Sequence, residues 1–210
     1  MTIPREAEHR ALKGVNLSGK VLDLGGDKRS EYSKLFAGTF TITTIDINRK
    51  AMPDIIADLE KPLPIPDASY NDVLMINVLE HIYEFKQLIA ESARVLISGG
   101  KVVIVVPYMF PYHPSPGDYH RFSKTALEKL LAGEGFSDIC VTPLGSGVYA
   151  ARALFLERLL PSSLQSFFAP FSHTVARIND AFMTTIANTS RKKYQASDYA
   201  LGFLVTAHKS

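Results

Sequence analysis

Two acidic residues and a pair of glycines have the types and spacing of a nucleoside site. The run V-L-D-L-G-G-D contains Asp23, Gly25, Gly26 and Asp27, where a predicted strand turns toward a helix. Glycines at such a turn let backbone amides approach a ligand closely. Asp46 ends the next predicted strand, where its carboxylate can accept hydrogen bonds from both hydroxyls of a ribose. Together these residues predict an adenosine-containing cofactor.

The glycine spacing favours one such cofactor over another. Dinucleotide sites use G-x-G-x-x-G, with a helix N-terminus facing a pyrophosphate. The run G-G-D-K-R-S that starts at Gly25 lacks this spacing, and the Asp27 carboxylate would repel a pyrophosphate. The same carboxylate suits the cationic sulfonium or amino group of S-adenosylmethionine. The residues therefore favour S-adenosylmethionine, and a nicotinamide-dependent oxidoreductase is the less favoured alternative.

Strand and helix patterns alternate along the chain and predict a doubly wound α/β sheet that is mostly parallel. Continuous apolar runs indicate strands buried on both faces. The predicted strands are Lys20–Leu24, Phe40–Asp46, Ile55–Asp58, Asp72–Ile76, Lys101–Val106, Phe136–Thr142 and Ala200–Ala207. The predicted helices are residues 29–37, ended by Gly38, residues 78–96, ended by the Ser98-Gly99-Gly100 turn, and residues 124–132, capped by Ser123. We expect one domain over residues 1–210.

A helical insert is predicted at Tyr149–Tyr194, before the last strand. Pro161 and Pro170 would divide it into two or three helices. It is rich in large apolar residues, namely Leu154, Phe155, Leu159, Leu160, Phe167, Phe168 and Phe171, and its aromatic residues are expected to be mainly core. Three roles stay open for the insert, namely a lid over an acceptor cleft, a dimer contact, or an interfacial helix that meets a lipid-linked substrate.

Composition excludes several classes of function. The formal net charge of the 210 residues is +2, without a long basic run, so we expect no nucleic-acid partner. The lone cysteine, Cys140, allows neither an intrachain disulfide nor a cysteine-based metal site. The first ten residues do not resemble a secretory signal, and no segment is long and apolar enough to span a membrane. We therefore expect a cytoplasmic protein, with peripheral membrane contact left open.

Several motifs in order resemble a known family. The stretch A-D-L-E-K-P-L-P-I-P-D-A-S-Y-N-D-V that starts at Ala57, continued by N-V-L-E-H-I from Asn77, resembles the type 11 group of class I S-adenosylmethionine-dependent methyltransferases. That group typically shows "D…LPF.D.SFD.V…VLEH". Residues 94–101 are similar to its "RVLKPGG" turn. The resemblance covers about Val21 to Val141. It implies methyl transfer on a seven-stranded sheet whose last strand is antiparallel.

The resemblance implies roles for two segments of the cofactor site. Asp23 and Gly25 would form the loop beside the methionine part of S-adenosylmethionine. Asp46 would hold the ribose, and Ile47 would pack near the adenine.

The resemblance also implies roles for residues farther along the chain. Asp58 would bond the adenine amino group, and Leu59 would offer its backbone amide. Asn77 and Val78 would line the cofactor from the other side.

The glycine loop departs from the family pattern. The family usually has D-x-G-x-G-x-G, but Asp27 and Arg29 stand at the second and third glycine positions. Side chains there could crowd the methionine part of the cofactor. A methyltransferase fold with weak catalysis that serves as a binding protein is therefore an alternative.

The acceptor side is predicted in Pro107–Phe122, which resembles the "HxxPxDYxRF" stretch of a methyltransferase subgroup often found beside polysaccharide and cell-envelope biosynthesis functions. A hydroxyl acceptor must lose a proton, and histidine has a suitable pKa for that role. We predict His113 or His120 as the base and Arg121 as an anchor for acidic groups of the acceptor. The alternative is a rigid loop held by an Asp118–Arg121 pair. The predicted acceptor is a small molecule or a glycan, methylated on O or N.

One further pattern bears on metal binding. Some methyltransferases bind a divalent metal through E-x-x-E-H. Here Asn77 replaces the first glutamate before Glu80 and His81. We therefore predict no metal site and expect His81 to pack at the start of its helix.

Overall fold

A seven-stranded sheet forms the centre of the computed structural model, which describes residues 2–27, 31–114, 117–157, 159, 161–189 and 195–210. The strands are β1 (Asn16–Leu24), β2 (Ala37–Asp46), β3 (Ile55–Ile56), β4 (Tyr70–Ile76), β5 (Leu96–Pro107), β6 (Phe136–Leu144) and β7 (Gly202–Lys209). All seven overlap predicted strands. Most begin or end a few residues beyond the predicted bounds, because pairing with a neighbouring strand continues past the apolar run.

The strand order is β3-β2-β1-β4-β5-β7-β6. Strands β1 to β5 pair in parallel, and β7 is antiparallel to both β5 and β6. The predicted doubly wound, mostly parallel sheet is therefore confirmed, together with its antiparallel last strand. From β1 the chain continues to β2 and β3 on one side, and from β3 it crosses back to β4 on the other side of β1. Such a reversal leaves a crevice at the carboxyl ends of the strands.

Helices cover both faces of the sheet. They are α1 (Ile3–Leu12), α2 (Phe85–Val95), α3 (Lys124–Gly133), α4 (Val148–Glu157) and α5 (Ser162–Thr189), with short 3-10 turns at Tyr32–Leu35, Arg49–Ala51, Leu79–His81 and Ala196–Tyr199. Strand β5 shows how the core forms: Val102 and Ile104 pack in one cluster with α2 and α3, while Val103 and Val105 pack in another with α1. Its β-branched residues fill both layers, as the continuous apolar run predicts.

The helix predicted at residues 29–37 is wrong in its described part. Only a 3-10 turn, Tyr32–Leu35, precedes β2, which already starts at Ala37 and includes Gly38. Residues 28–30 lie outside the described residues. Pairing of Ala37 with Asn16 extends the strand toward its N-terminus, so the hydrogen bonds of the sheet override the local helical pattern.

The helix predicted at residues 78–96 is also shorter than expected. The turn Leu79–His81 and helix α2 are separate elements, and α2 ends at Val95. The glycines at 99 and 100 lie within β5, where Tyr70 pairs with Leu96 and Asp72 pairs with Lys101. They therefore form a bulge in a strand and do not end a helix.

The insert consists of two helices, with Pro161 between them, and α5 continues past Pro170. Leu154 is buried, but Phe155 and Phe171 are 44% and 72% exposed, so the prediction that these aromatic residues belong to the core is wrong for both. The side chains of 167 and 168, and residues 160 and 190–194, lie outside the described residues. Within the described part of the chain, no helix has the length and apolar character that a membrane crossing requires.

Helix α5 supports α4 through one buried carboxylate. Asp180 is 5% exposed and accepts hydrogen bonds from the backbone amides of Tyr149 and Ala150, at 3.0 and 2.8 Å. These amides belong to the first turn of α4, which has no partners for them within the helix. The carboxylate also meets the positive end of the helix dipole.

We expect Asp180→Ala to lower the free energy of unfolding by about 1–2 kcal/mol, because it removes this cap. Urea denaturation followed by circular dichroism measures the change. Thr185→Ala, at an exposed position of the same helix, is the control and should change stability much less. Equal losses in the two variants would contradict the capping role.

Candidate functional site

A cavity of about 480 Å³ lies at the carboxyl ends of β1, β2 and β4, at the reversal of strand order. We call it the cofactor cavity. Eight of the residues predicted to hold the cofactor line it: Gly25, Asp27, Asp46, Ile47, Asp58, Leu59, Asn77 and Val78. Asp23 and Gly26 are not part of its lining, and Arg29 lies outside the described residues. Tyr119 also lines it, from the loop after β5, which the sequence analysis assigns to the acceptor alone.

Gly25 brings the backbone of the first loop against the end of β4. Its φ angle is +76°, and a Cβ at this position would overlap the side chain of Val78. The Gly25 amide donates to the carbonyl of Ile45 at 2.7 Å, which fixes the turn against β2. A larger residue would therefore be strained here and would displace the cavity wall.

Two of the acidic residues that line the cavity are each oriented by a local hydrogen bond. Asp46 accepts from the amide of Asn48 at 2.6 Å, and Asp58 accepts from the amide of Glu60 at 3.0 Å. Between them, Ile47 is 60% exposed at the cavity edge. This arrangement offers fixed carboxylate acceptors beside an apolar surface, which suits the hydroxyls and the flat base of a nucleoside.

Asp23 lies beneath the loop rather than in the cavity. Its side chain is buried, the Tyr32 hydroxyl donates to Oδ2, and a Cβ on Gly26 would overlap the same oxygen. Oδ1 has no hydrogen-bond partner among the described residues. Burial raises the pKa of Asp23 to about 7, against the lowering effect of the Tyr32 hydrogen bond, and the nearby charge of Asp46 raises it further. Direct contact of Asp23 with a cofactor is therefore not favoured by this geometry.

A second cavity, of about 240 Å³, adjoins the first. We call it the acceptor cavity. It lies between α1 and the ends of β4, β5 and β7, and its polar lining residues include Arg5, Glu8, Asn77, His81 and His113. Asn77 and His81 line both cavities. A group bound in one cavity would therefore meet a group bound in the other across these two side chains.

Asn77 is held in an unusual conformation at this boundary. Its φ angle is +54°, and its amide donates to the carbonyl of Val105 at 2.9 Å. Its side-chain Nδ2 donates to Oε2 of buried Glu8 at 2.9 Å, and Oε1 of Glu8 accepts from Arg5. The sequence does not predict that Arg5 and Glu8 belong to this site, because Glu8 and Asn77 are 69 residues apart and form no local pattern.

The loop after β5 is tied down by an ion pair. Arg121 contacts both carboxylate oxygens of Asp118, and the amide of His113 donates to Asp118 at 2.9 Å. The Arg121 hydrogen bonds lower the pKa of Asp118. Since Arg121 lines neither cavity, this geometry favours the predicted alternative of a structural pair over an anchor for the acceptor.

The two predicted histidines occupy different places. His113 lines the acceptor cavity, and burial lowers its pKa against the opposing charge of Asp118. His120 lines neither of the two cavities; its ring packs against Phe85 and Phe122, and Nε2 contacts the carbonyl of Tyr83 at 3.2 Å. Only His113 is therefore placed to act at the acceptor.

A third histidine joins His113. His81 lies in the turn after β4, and the centroids of the two imidazole rings are 5.1 Å apart. Both Nε2 atoms face the buried carboxylate of Glu80, at 3.7 and 3.8 Å from Oε1. The expectation that His81 merely packs at a helix start is therefore incomplete, because no sequence pattern places His113 beside it.

We expect Asp23→Asn to flatten the pH dependence of stability. Folded Asp23 keeps its proton up to about pH 7, whereas an unfolded aspartate releases it near 3.8. Its stabilising contribution is therefore complete below about pH 4 and is lost as the pH rises through about 7, by up to about 4 kcal/mol. Urea unfolding at several pH values between these limits measures the slope.

The control for this experiment is Asp198→Asn, at an exposed aspartate. It should follow the slope of the unaltered protein. If Asp23→Asn follows that slope as well, the buried carboxyl does not titrate as the structure indicates.

Part of the chain is similar to known proteins. Residues 14–104 match the family model described as a methyltransferase domain. A probable S-adenosylmethionine-dependent methyltransferase of Mycobacterium tuberculosis (strain H37Rv) is 30% identical over 91 residues, which are 40% of this chain and 33% of that protein. The chain thus matches about a third of the length of this relative.

Solved structures show the same fold at low sequence identity. Phosphoethanolamine N-methyltransferase 2 of Haemonchus contortus, in complex with phosphomonomethylethanolamine and S-adenosylhomocysteine, has a TM-score of 0.59 and 17% identity, covering 96% of this chain and 52% of that one. A methyltransferase of Thermotoga maritima has a TM-score of 0.60 and 14% identity, covering 99% and 90%.

The family match, the strand order and the position of the cofactor cavity agree with one another. The strand order and the solved structures confirm the predicted fold. The match at residues 14–104 agrees with the family that the motifs resemble and supports S-adenosylmethionine as the cofactor. Residues 14–104 of the chain are thus similar to a methyltransferase domain.

Proposed function

We propose that this protein transfers the methyl group of S-adenosylmethionine to an oxygen or nitrogen of a small-molecule or glycan-type acceptor. One observation carries the proposal: the cofactor cavity and the acceptor cavity share Asn77 and His81. Methyl transfer from a sulfonium is an in-line displacement, so a donor and an acceptor held on two sides of one boundary satisfy its main requirement. The volume of about 240 Å³ fits a small molecule or one sugar unit.

The cofactor would lie across the carboxyl edge of the sheet. Asp46 accepts hydrogen bonds from the ribose hydroxyls, and Asp58 accepts one from the adenine amino group beside Ile47. Asp27 lines the same cavity next to Gly25, and its negative charge attracts the ammonium or sulfonium group of the methionine part. In this arrangement Asp27, which departs from the family pattern, contributes to binding.

The acceptor would be oriented from two sides. Helix α1 presents the hydrogen-bonded pair Arg5 and Glu8, and the loop after β5 presents His113. Because burial lowers its pKa, the His113 imidazole is unprotonated near neutral pH and can take a proton from a hydroxyl acceptor.

We expect Asp46→Ala to weaken the binding of S-adenosylhomocysteine roughly 10- to 150-fold, because hydrogen bonds to a charged group contribute about 1.5–3 kcal/mol. Isothermal titration calorimetry measures the dissociation constant. Asp67→Ala, at an exposed aspartate far along the chain, is the control and should bind as the unaltered protein does. Unchanged affinity in Asp46→Ala would remove the ribose assignment.

We expect His113→Ala to slow methyl transfer by about 100-fold or more, the range of general-base effects. Transfer of tritiated methyl from S-adenosylmethionine to a panel of sugars, phenols and primary amines measures the rate. His120→Ala is the matched control from the same loop and should keep most of the activity.

Two outcomes would change these assignments. Equal losses in the His113→Ala and His120→Ala variants would show that the acceptor does not depend on His113. Tight binding of S-adenosylhomocysteine without transfer to any compound of the panel would favour the alternative of a binding protein.

A further inference from the structure

We propose that Glu80, His81 and His113 form a binding site for a divalent transition-metal cation at the acceptor cavity. One ligand atom from each residue lies within 4.8 Å of the other two. Glu80 and His81 come from the turn after β4, and His113 comes from the loop after β5. The three residues are called the metal triad below.

Each imidazole is oriented by a hydrogen bond at Nδ1, the nitrogen farther from Glu80. Nδ1 of His81 contacts the carbonyl of Gly117, and Nδ1 of His113 contacts the carbonyl of Pro111 at 3.1 Å. Nδ1 of His113 also lies 3.3 Å from a carboxylate oxygen of Asp118. The opposing contact, in which Arg121 would donate to Nδ1, is longer, at 3.4 Å. Since carbonyl and carboxylate oxygens only accept, these contacts assign the hydrogen to Nδ1 in each ring.

Both Nε2 atoms therefore carry a lone pair, and they lie 3.7 and 3.8 Å from Oε1 of Glu80. Three acceptors thus converge on one small volume. A histidine whose outer N–H is fixed by a carbonyl or carboxylate is the usual arrangement for a metal ligand, because it sets both the tautomer and the direction of the ring.

The burial and hydrogen bonding of Glu80 are a second, independent indication of a cation site. Its side chain is fully buried, and both of its oxygens lack a hydrogen-bond partner among the described residues. A buried carboxylate without a donor or counter-ion is costly. The charge of Arg121 acts on Glu80 only in part, because its guanidinium is hydrogen-bonded to Asp118.

The donor set indicates the class of metal. Two imidazole nitrogens and one carboxylate match the three protein ligands of catalytic zinc sites and of related first-row cations. In a tetrahedral zinc site the ligand atoms lie about 3.4 Å apart, and here Oε1 of Glu80 lies 3.7 and 3.8 Å from the two Nε2 atoms. Small side-chain movements would close this difference. Since His81 and His113 line the acceptor cavity, a free coordination position would face the acceptor.

The consequence for catalysis rests on the proposed function. An acceptor hydroxyl coordinated by the cation would release its proton to solvent near neutral pH. The oxygen would then form its bond to the methyl carbon as the carbon–sulfur bond breaks, and the bonding electrons would remain on the sulfur of S-adenosylhomocysteine. With the cation bound, His113 would act as a metal ligand and the cation would promote loss of the proton, whereas without the cation His113 stays available as the base described above.

The test measures metal binding without cofactor or acceptor, so its failure is separate from failure of the proposed methyl transfer. Protein freed of metal by a chelator is titrated with Zn²⁺ by calorimetry and with Co²⁺ by visible absorption. We expect saturable binding of one ion per chain and the absorption bands of Co²⁺ bound to nitrogen and oxygen.

Two variants make the test specific to the metal triad. Glu80→Gln and His113→Ala should each weaken Zn²⁺ binding by more than about 100-fold, since loss of an outer partner of a ligand already costs 10- to 100-fold. His120→Ala, in the same loop, should bind as the unaltered protein does. Circular dichroism checks that each variant is folded, and if Glu80→Gln does not fold, His113→Ala decides the result.

Absence of one-to-one binding by the unaltered protein would overturn the proposal. Equal affinity of the unaltered protein and the folded variants would overturn it as well, since binding would then take place elsewhere on the chain.

Discussion

The parallel pairing of β1 with β2 on one side and β4 on the other is the constraint on which the site depends. Val21 and Leu22 of β1 are fully buried on opposite faces of the sheet, and the strand pairs along both of its edges, so it lies at the centre. The chain leaves β1 toward β2 and returns from β3 to β4 on the other side, and this reversal leaves the carboxyl end of β1 uncovered. The glycine loop, the acid that ends β2 and the turn after β4 are brought together at that end, although they are far apart in the sequence.

Three buried carboxylates lie at or next to this end of the sheet. Asp23, Glu8 and Glu80 are each less than 9% exposed, and burial raises the pKa of both Asp23 and Glu80 to about 7. Burial of an acid costs stability unless hydrogen bonds or a counter-ion compensate it. Tyr32 partly compensates Asp23, and two donors compensate Glu8. Neither oxygen of Glu80 has a hydrogen-bond partner among the described residues, and the charge of Arg121 compensates the buried carboxylate only in part.

The elements that depend on local composition could be predicted from the sequence. The run K-V-V-I-V-V predicts the central strand β5, because β-branched residues fill both faces of a buried strand. Ser123 predicts the start of α3, where its side chain accepts a hydrogen bond from the Ala126 amide. The helix predicted at residues 29–37 failed because sheet pairing, which is not local, extends β2 to Ala37. Eight of the residues predicted to hold the cofactor line one cavity, because they follow strand ends that meet at the same edge of the sheet.

The acceptor side could be predicted only in part, because its contacts join distant segments. The loop after β5 is recognisable from its histidines and tyrosines, but nothing local separates His113 from His120. The distinction comes from packing, because the His120 ring lies against Phe85 and Phe122 and lines neither cavity. Helix α1 gives no local sign that Glu8 reaches Asn77.

The helical insert connects with the acceptor side through α1. His173 of α5 is buried and contacts Glu6 of α1 at 3.3 Å, while Ile3 packs in one apolar cluster with residues of α4 and α5. Helix α1 forms a wall of the acceptor cavity, whereas none of the described residues that line the cofactor cavity comes from the insert. A change in the position of α4 or α5 would therefore alter the acceptor cavity more directly than the cofactor cavity. The cofactor is thus held by the sheet, whereas the shape of the acceptor cavity depends on how the helices outside the sheet pack against α1.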